Sequence, residues 1–193
     1  AAQAFELSED LSFNVTPALV SDYRVSGLSQ TQGDPAAQLD LMLSHVSGVY
    51  GGIWTSTVDF GLGINTRQEI DYYAGYYWQI NDNISLDTWT TRYEFPNTSA
   101  YNSNYVQTVL DVYGVLLSGK YANNQHDAEL NEEEDFSSWF VGYQTMLPLD
   151  IGFRATYETV DYKDDVFWTA SGSSRADYND WEVKLSKNLW NLD

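Results

Sequence analysis

Apolar and polar residues alternate with a period of two along most of the chain. Between Leu11 and Val25, the odd-numbered positions are mostly apolar and the even-numbered positions are mostly polar. The same alternation recurs in four later stretches, at residues 37–44, 69–79, 149–158 and 180–185. Because successive side chains of a β-strand point to opposite faces, whereas a helix would scatter them around its axis, the pattern predicts β-strands.

We predict ten strands from this pattern, with a less regular alternation near residues 84–95 and 136–144, where a β-bulge would shift it. The predicted strands cover residues 9–28, 35–46, 49–61, 67–79, 84–95, 103–117, 118–125, 135–146, 149–162 and 177–187. Their length exceeds the usual globular strand of about five or six residues and is enough to cross a bilayer, which takes about 9–11 residues.

The predicted connections between these strands alternate between short and long. The short ones are residues 46–48, 80–83, 118–119 and 146–149, and the long, polar ones are residues 30–35, 61–66, 96–102, 123–134 and 163–176. Short turns at one end and long loops at the other are typical of an up-and-down outer-membrane β-barrel. Aromatic residues near predicted strand ends suit the interfacial girdles of such a barrel: Tyr50, Tyr72, Trp78, Tyr93, Phe95, Trp139, Tyr143, Tyr157 and Trp181.

A soluble β-sandwich or lipocalin-like barrel would also show alternating strands, and it stays open as an alternative. The two folds differ in whether the apolar face points inward or outward, which the sequence does not reveal directly. Pairs of opposite charges on the polar face fit either a wet lumen or a water-facing exterior: Asp22/Arg24, Arg92/Glu94, Arg154/Glu158 and Glu182/Lys184.

Composition narrows the function classes. The 193 residues include 28 acidic and 9 basic side chains, for a formal charge of -19, and this argues against a nucleic-acid partner. No cysteine is present and there are only two histidines, His45 and His126, so thiolate chemistry is excluded and His-based metal or triad chemistry is disfavoured. No motif of a nucleophile or phosphate loop is found, and we expect no enzyme, no catalytic residue, no metal and no cofactor. The mean hydropathy of -0.40 does not separate a soluble protein from a membrane barrel, which averages a polar lumen with an apolar exterior.

Three stretches carry a family resemblance. Residues 20–36 contain Ser21-Asp22-Tyr23-Arg24, Ser29-Gln30-Thr31 and Gly33-Asp34-Pro35-Ala36, and related segments follow at residues 48–60 and 69–76. Over residues 20–76 the chain resembles the TorF-family putative porins of proteobacteria, and from residue 77 onward it is similar in pattern alone. The resemblance implies an outer-membrane β-barrel with no catalytic residues.

The two ends of the sequence suggest an exported protein that has a further hairpin after residue 186. Ala1 to Phe5 is similar to the start of a mature protein after removal of a signal peptide. Residues 186–193 read as a short turn leading into another strand and do not form the usual final strand with a C-terminal aromatic residue. We therefore predict a single all-β domain over residues 1–193, with ten strands visible and twelve when a C-terminal hairpin completes the barrel.

Charged residues on the predicted lumen face define the candidate site. They are Asp22, Arg24, Asp40, Asp59, Glu69, Asp71, Arg92, Glu94, Asp111, Lys120, Arg154, Glu158, Asp180, Glu182 and Lys184. The excess of carboxylates predicts a mild preference for cations in a channel for small hydrophilic solutes or ions. The loop pattern and the family resemblance imply that this channel lies in the bacterial outer membrane, among its lipids. A narrow barrel filled by ion pairs would show the same set.

Two features of the predicted loops have alternative interpretations. The segments 131–135 and 161–165 are rich in carboxylates, which could bind a hard cation, but no calcium-binding spacing is present and solvent-exposed charge is the simpler interpretation. Aromatic residues in the predicted loops suit a partner surface or a homo-oligomer contact: Tyr101, Tyr105, Phe167, Trp168 and Tyr178. The alternative function is therefore a closed structural or interaction barrel whose acidic loops mediate assembly.

Overall fold

The protein is an all-β structure built on one antiparallel sheet. The computed structural model describes residues 3–61, 63–127, 132–162, 167–168, 174–175 and 177–188. Eleven strands form this sheet, namely β1 Gln3–Glu6, β2 Leu11–Val20, β5 Ala36–His45, β6 Val49–Thr57, β7 Gln68–Asn81, β8 Ile84–Glu94, β9 Ser103–Val112, β10 Val115–Asp127, β11 Glu132–Leu147, β12 Ile151–Tyr162 and β15 Asp177–Ser186. Their order in the sheet is their order in the chain, so each strand pairs with its neighbours along a meander. Two small hairpins, β3 Arg24–Val25 with β4 Leu28–Ser29 and β13 Phe167–Trp168 with β14 Ser174–Arg175, and a short 3-10 helix at Ser99–Tyr101 complete the described elements.

The antiparallel strands confirm the prediction made from the alternation, with two corrections in the first half of the chain. Residues 3–6 form a strand that was not predicted, and it pairs with β2. The first predicted strand, 9–28, ends at Val20, and residues 24–29 instead make the hairpin of β3 and β4. Ser26 and Gly27 both have positive φ there, which lets the chain reverse within two residues.

A third correction concerns the turn predicted at Ser118-Gly119. Both residues lie within β10, and the turn is at Tyr113-Gly114, where φ is 54° and 84°. Two consecutive residues at positive φ are the signature of a tight hairpin turn whose twist matches that of the flanking strands. Gly119 pairs with Thr108 and Trp139 inside the sheet, and a glycine suits this position because a Cβ there would come 2.8 Å from the Trp139 ring.

The unequal loops predicted from the sequence are present. One end of the sheet carries the turns 7–10, 46–48, 82–83, 113–114 and 148–150, and the other end carries the connections 21–35, 58–67 and 95–102. Part of the predicted loop 123–134 is instead paired strand at the ends of β10 and β11. The predicted loop 163–176 lies largely outside the described residues, as do residues 189–193 of the predicted final turn.

Strand register divides the sheet into two faces, and the polar one is the more buried. We call the face that carries Asp71 the inner face and the opposite face the outer face. Buried polar residues on the inner face include Ser56, Glu69, Asp71, Thr91, Ser103, Ser118 and Ser138. The outer face exposes large apolar side chains, among them Ile53, Tyr72, Trp78, Val106, Leu117, Trp139, Val141, Tyr157, Trp181, Val183 and Leu185. This is the reverse of the distribution in a water-soluble sheet, in which the apolar face is buried.

A small apolar cluster closes the inner face towards the long-loop end. Ala122, Phe136 and Val160 are buried there, and Tyr105, Tyr162 and Tyr178 pack against them. The Phe136 and Tyr162 rings stack with centroids 5.1 Å apart. Most of the remaining inner face is lined by polar and aromatic side chains, with aliphatic exceptions that include Met42, Val109 and the buried Leu116.

The expected closed barrel is not present in the described part of the chain, since the sheet is open between β1 and β15. Each of these two edge strands has a single neighbour, β2 and β12 respectively. The sheet is nevertheless strongly curled. Gly27, from the β3–β4 hairpin, lies against Asp180 of β15, at the far end of the sheet order.

Candidate functional site

The hairpin formed by residues 22–29 lies on the inner face of the sheet. The Tyr23 ring packs against Trp54 of β6 at an interplanar angle of 56°, with ring centroids 5.3 Å apart, and its hydroxyl donates a hydrogen bond to Oε1 of Glu69 on β7 at 3.3 Å. At the hairpin tip, Gly27 contacts Asp180. This inserted hairpin, residues 22–29, therefore touches strands from both halves of the sheet and occupies part of the interior.

Asp22 organises the inserted hairpin from within. Its carboxylate accepts hydrogen bonds from the Ser29 hydroxyl at 2.6 Å and the Thr31 hydroxyl at 3.1 Å, and it pairs with Arg24 at 2.5 Å. These donors, the Ser29 hydroxyl first, lower the pKa of Asp22 below its ordinary value. Tyr23 beside it has its pKa raised, because burial disfavours the phenolate. The hairpin thus presents an ionised carboxylate and a neutral phenol at neutral pH.

Beside the hairpin, the inner face forms an acidic and aromatic pocket of about 390 Å³. Its wall consists of Tyr23, Asp40, Tyr50, Trp54, Asp71, Tyr73, Asp87, Trp89, Thr91 and Tyr105, and contains no basic side chain. Two of the carboxylates are oriented by phenols: Tyr73 donates to Asp40 at 2.6 Å and Tyr50 donates to Asp87 at 2.7 Å. The Trp89 indole donates to the Tyr105 hydroxyl at 3.2 Å, which fixes that ring in the wall.

Asp71 is the carboxylate of this pocket that its neighbours do not fully satisfy. The residue is 8% exposed, and its Oδ1 accepts no hydrogen bond from any described residue. It interacts electrostatically with the buried Glu69 of the same strand and face and with the Lys120 ammonium. That ammonium lies over the Tyr105 ring, 4.4 Å from its centroid, so it is shared between the carboxylates and an aromatic face.

A second cavity, of about 640 Å³, lies on the other side of the inserted hairpin. Charges of both signs line it, namely Asp22, Arg24, Arg154, Glu158, Asp180, Glu182 and Lys184. Arg154 lies with its guanidinium 5.6 Å from the Phe140 ring centroid. The interior therefore contains an acidic compartment and a mixed-charge compartment, with the hairpin between them.

Most of the charged residues predicted for the lumen face do lie on the inner face. Those in the strands are Asp40, Glu69, Asp71, Asp111, Lys120, Arg154, Glu158, Asp180, Glu182 and Lys184. Asp22 and Arg24 belong to the inserted hairpin. Asp59 lies in the connection after β6, where it pairs with Arg67 at 3.4 Å.

Arg92 and Glu94 are placed differently from the prediction. Arg92 is in register with Tyr72 and Glu94 with Ile70, so both lie on the outer face, near the long-loop end of β8. They pair with each other at 3.6 Å. The error arises from the irregular alternation at 84–95, because a shift of one residue exchanges the two faces of a strand.

The predicted ion pairs are only partly formed. Asp22 with Arg24 and Arg92 with Glu94 are present, whereas Arg154 with Glu158 and Glu182 with Lys184 make no ion pair among the described residues. The predicted aromatic girdle needs a correction as well. Tyr50 and Tyr93 lie on the inner face, since Tyr50 is in register with Gly75 and Tyr93 with Asp71.

Sequence reasoning missed several residues of the pocket. Asp87 was not predicted because the alternation along β8 is irregular, so its two faces could not be told apart. The register shows that Ser85, Asp87, Trp89 and Thr91 all lie on the inner face. Trp54 and Tyr73 carry no local signal of their role. Tyr105 and Tyr178, predicted as loop aromatics, lie on the inner face, while Tyr101 is partly exposed beside Phe60 and Phe95.

In the parts that the structure describes, no group of three acidic or histidine side chains is arranged to hold a metal ion. Residues 163–165 of the second acidic loop, and the side chains of residues 132–134 and of Phe167 and Trp168, lie outside that description. None of the described helices is both long enough and apolar enough to cross a membrane.

Comparisons with known proteins place the chain in a family without assigning its activity. Neither the curated proteins nor the solved structures contain a match to it. Residues 3–191, nearly the whole length of the chain, match a family model described as a bacterial protein of unknown function, Gcw_chp. The chain therefore belongs to this bacterial family.

Proposed function

We propose that the protein is a porin-like channel of the bacterial outer membrane that passes small hydrophilic solutes or ions with a mild preference for cations. The observation that carries the proposal is the arrangement of the two faces. Large apolar side chains are exposed around the outer face, whereas carboxylates are buried on the inner face. Lipid would cover the first face and water the second.

The loop asymmetry and the resemblance of residues 20–76 to TorF-family porins support the same proposal. Tight turns at one end and longer connections at the other are the pattern of barrels that insert from one side of the outer membrane. Closure of the open edge between β1 and β15 into a barrel belongs to the proposal.

The preference for cations follows from the charges of the inner face. Carboxylates outnumber basic side chains on that face. Asp87 is a further inner-face carboxylate that was not predicted, whereas Arg92 and Glu94 lie on the outer face and cancel each other's charge. A low-dielectric wall increases the effect of such charges on passing ions. Cations are therefore favoured over anions in the interior.

The second candidate function is a closed barrel that serves in assembly or partner binding through its loops. The inserted hairpin favours it, because Tyr23 on Trp54 fills part of the interior. The two candidates differ in one measurable property: a channel conducts ions, whereas a filled barrel does not.

Single-channel recording of the purified protein in planar bilayers tests the proposal. We expect discrete conductance steps with a reversal potential on the cation-selective side. Detergent-dependent solubility and heat-modifiable migration on a gel are expected from the same preparation. A protein that is monodisperse in plain buffer, or inserts without conducting, contradicts the channel.

A further inference from the structure

We propose that the acidic and aromatic pocket of the inner face binds an organic ammonium cation. The inference deepens the proposed function and rests on it for the route by which a solute reaches the pocket. It assigns to the interior a defined binding site and a chemical class of solute, in addition to a general preference for positive charge.

The charge of the wall is the first argument. Asp40, Asp71 and Asp87 all line the pocket, and among the described residues no basic side chain lines it; the Lys120 ammonium lies nearby, over the Tyr105 ring. The phenols of Tyr73 and Tyr50 donate to two of these carboxylates and hold them in place. A positively charged ligand is favoured in this pocket, because three carboxylates face it, whereas an anion would be buried beside them.

The unsatisfied oxygen of Asp71 is the second and independent argument. A carboxylate oxygen that is buried without a hydrogen-bond donor is costly, and such groups in a folded protein call for an explanation. Asp71 is also paired with the buried Glu69 of the same strand face, so two acidic side chains share this part of the wall. An ammonium group in the pocket would supply the partner that Oδ1 of Asp71 lacks.

The aromatic content of the wall selects the class of cation. Trp54 and Trp89 line the pocket together with four tyrosines, Tyr23, Tyr50, Tyr73 and Tyr105. Small inorganic cations prefer an all-oxygen shell, whereas alkylated ammonium groups are bound by aromatic faces combined with a carboxylate. The volume of about 390 Å³ is within the usual range of sites for small organic ligands.

The test measures binding of choline to the full chain in detergent micelles by titration calorimetry. The matched control ligand is the uncharged isostere of choline, in which carbon replaces the quaternary nitrogen. We expect choline to bind at least about tenfold more tightly than the isostere, since the cationic interaction is lost in the latter. Equal binding of both, or binding of neither, overturns the proposal without any mutant.

Five variants, two of them controls outside the pocket, locate the site. Asp71→Asn is expected to weaken choline binding about tenfold or more, as for loss of a charged hydrogen-bond partner. Glu182→Gln removes an inner-face carboxylate outside the pocket and is expected to leave binding unchanged. Trp89→Leu should weaken binding and Trp89→Phe should restore part of it, whereas Trp139→Leu on the outer face should have no effect. Binding that is insensitive to Asp71 and Trp89 contradicts the site.

Conductance recorded on the same preparation separates this inference from the proposed function. If the protein conducts ions but does not discriminate between choline and its isostere, the channel proposal is supported and the binding site is contradicted. If it binds choline without conducting, the binding site is supported and the channel proposal is contradicted.

Discussion

Gly27 and Asp180 are in contact, although the first belongs to the hairpin after β2 and the second to the last described strand. A Cβ on Gly27 would lie 2.5 Å from Oδ1 of Asp180. The contact requires that the sheet curl far enough to bring its two ends around a common interior. It also places the inserted hairpin across the gap that the unpaired edges leave.

Gly27→Ala should destabilise the inserted hairpin by more than the backbone strain of an alanine at positive φ. Gly27 has φ of 79°, which costs a residue with a Cβ about 1–2 kcal/mol, and the new methyl group would displace Asp180 as well. Gly33→Ala is the matched control, since φ there is 87° but nothing lies within 4 Å. Hydrogen exchange of residues 22–29 should accelerate more in Gly27→Ala than in the control. Equal effects in both variants would mean that the Asp180 contact does not hold the hairpin.

Tyr23→Ala should increase the single-channel conductance. The Tyr23 ring packs against Trp54 and its hydroxyl donates to Glu69, so its removal frees both space and the hairpin. Tyr23→Phe is the matched control, because it keeps the ring and loses one hydrogen bond, worth about 0.5–1.5 kcal/mol. We expect its conductance to stay near that of the unmodified protein. A conductance unchanged in Tyr23→Ala would show that the hairpin does not restrict the path.

Val141→Lys should destabilise the protein in lipid bilayers by about 2–4 kcal/mol, the cost of a charge on the lipid-facing side near the bilayer midplane. Val141 is 50% exposed on the outer face in the middle of β11, so in water the same change would be nearly neutral. Leu149→Lys is the control, since Leu149 is 76% exposed but lies in a turn. Unfolding in vesicles by denaturant measures both. A neutral Val141→Lys contradicts a lipid-covered outer face.

Lowering the pH should weaken the preference for cations. Carboxylates of ordinary environment titrate near pH 4, while arginine side chains in general stay charged at any accessible pH. Reversal potentials in a salt gradient at pH 7 and at pH 4 measure the change. High salt should blunt the preference too, since the Debye length falls from about 10 Å at 0.1 M to about 3 Å at 1 M. An anion preference at pH 7 would refute the open acidic interior.

The inserted hairpin should resist moderate acid because of Asp22. Its pKa is lowered in the folded protein, so its contribution to stability is complete above the unfolded pKa and is lost only as the pH falls through the lowered value. Ser29→Ala removes the donor that contributes most and should move the loss to higher pH. Carboxyl chemical shifts of Asp22 measured during an acid titration test this, with Ser8→Ala as the control. An unshifted titration in Ser29→Ala would contradict the role of the hydroxyl.

The strands followed from the sequence because their signal is local. Alternation with a period of two places β5, β7 and β12 within two residues of their observed bounds, and it also separates the polar residues from the apolar ones. The local pattern does not locate the turn where two nearby sites both have a suitable sequence for one. Ser118-Gly119 and Tyr113-Gly114 both offer a glycine, and only the pairing with β9 and β11 selects the second.

Which way each face points, and what meets inside, was decided by the tertiary structure. Alternation is the same whether the apolar face is buried or exposed, so the outward placement of Trp139 and Val141 emerges only from the curl of the sheet. The pocket is likewise non-local, since Tyr50 reaches Asp87 and Tyr73 reaches Asp40 across more than thirty residues of sequence. Composition and period therefore determine an acidic antiparallel sheet. Register and curvature determine which carboxylates share one interior, because a face is a property of neighbouring strands and not of a single one.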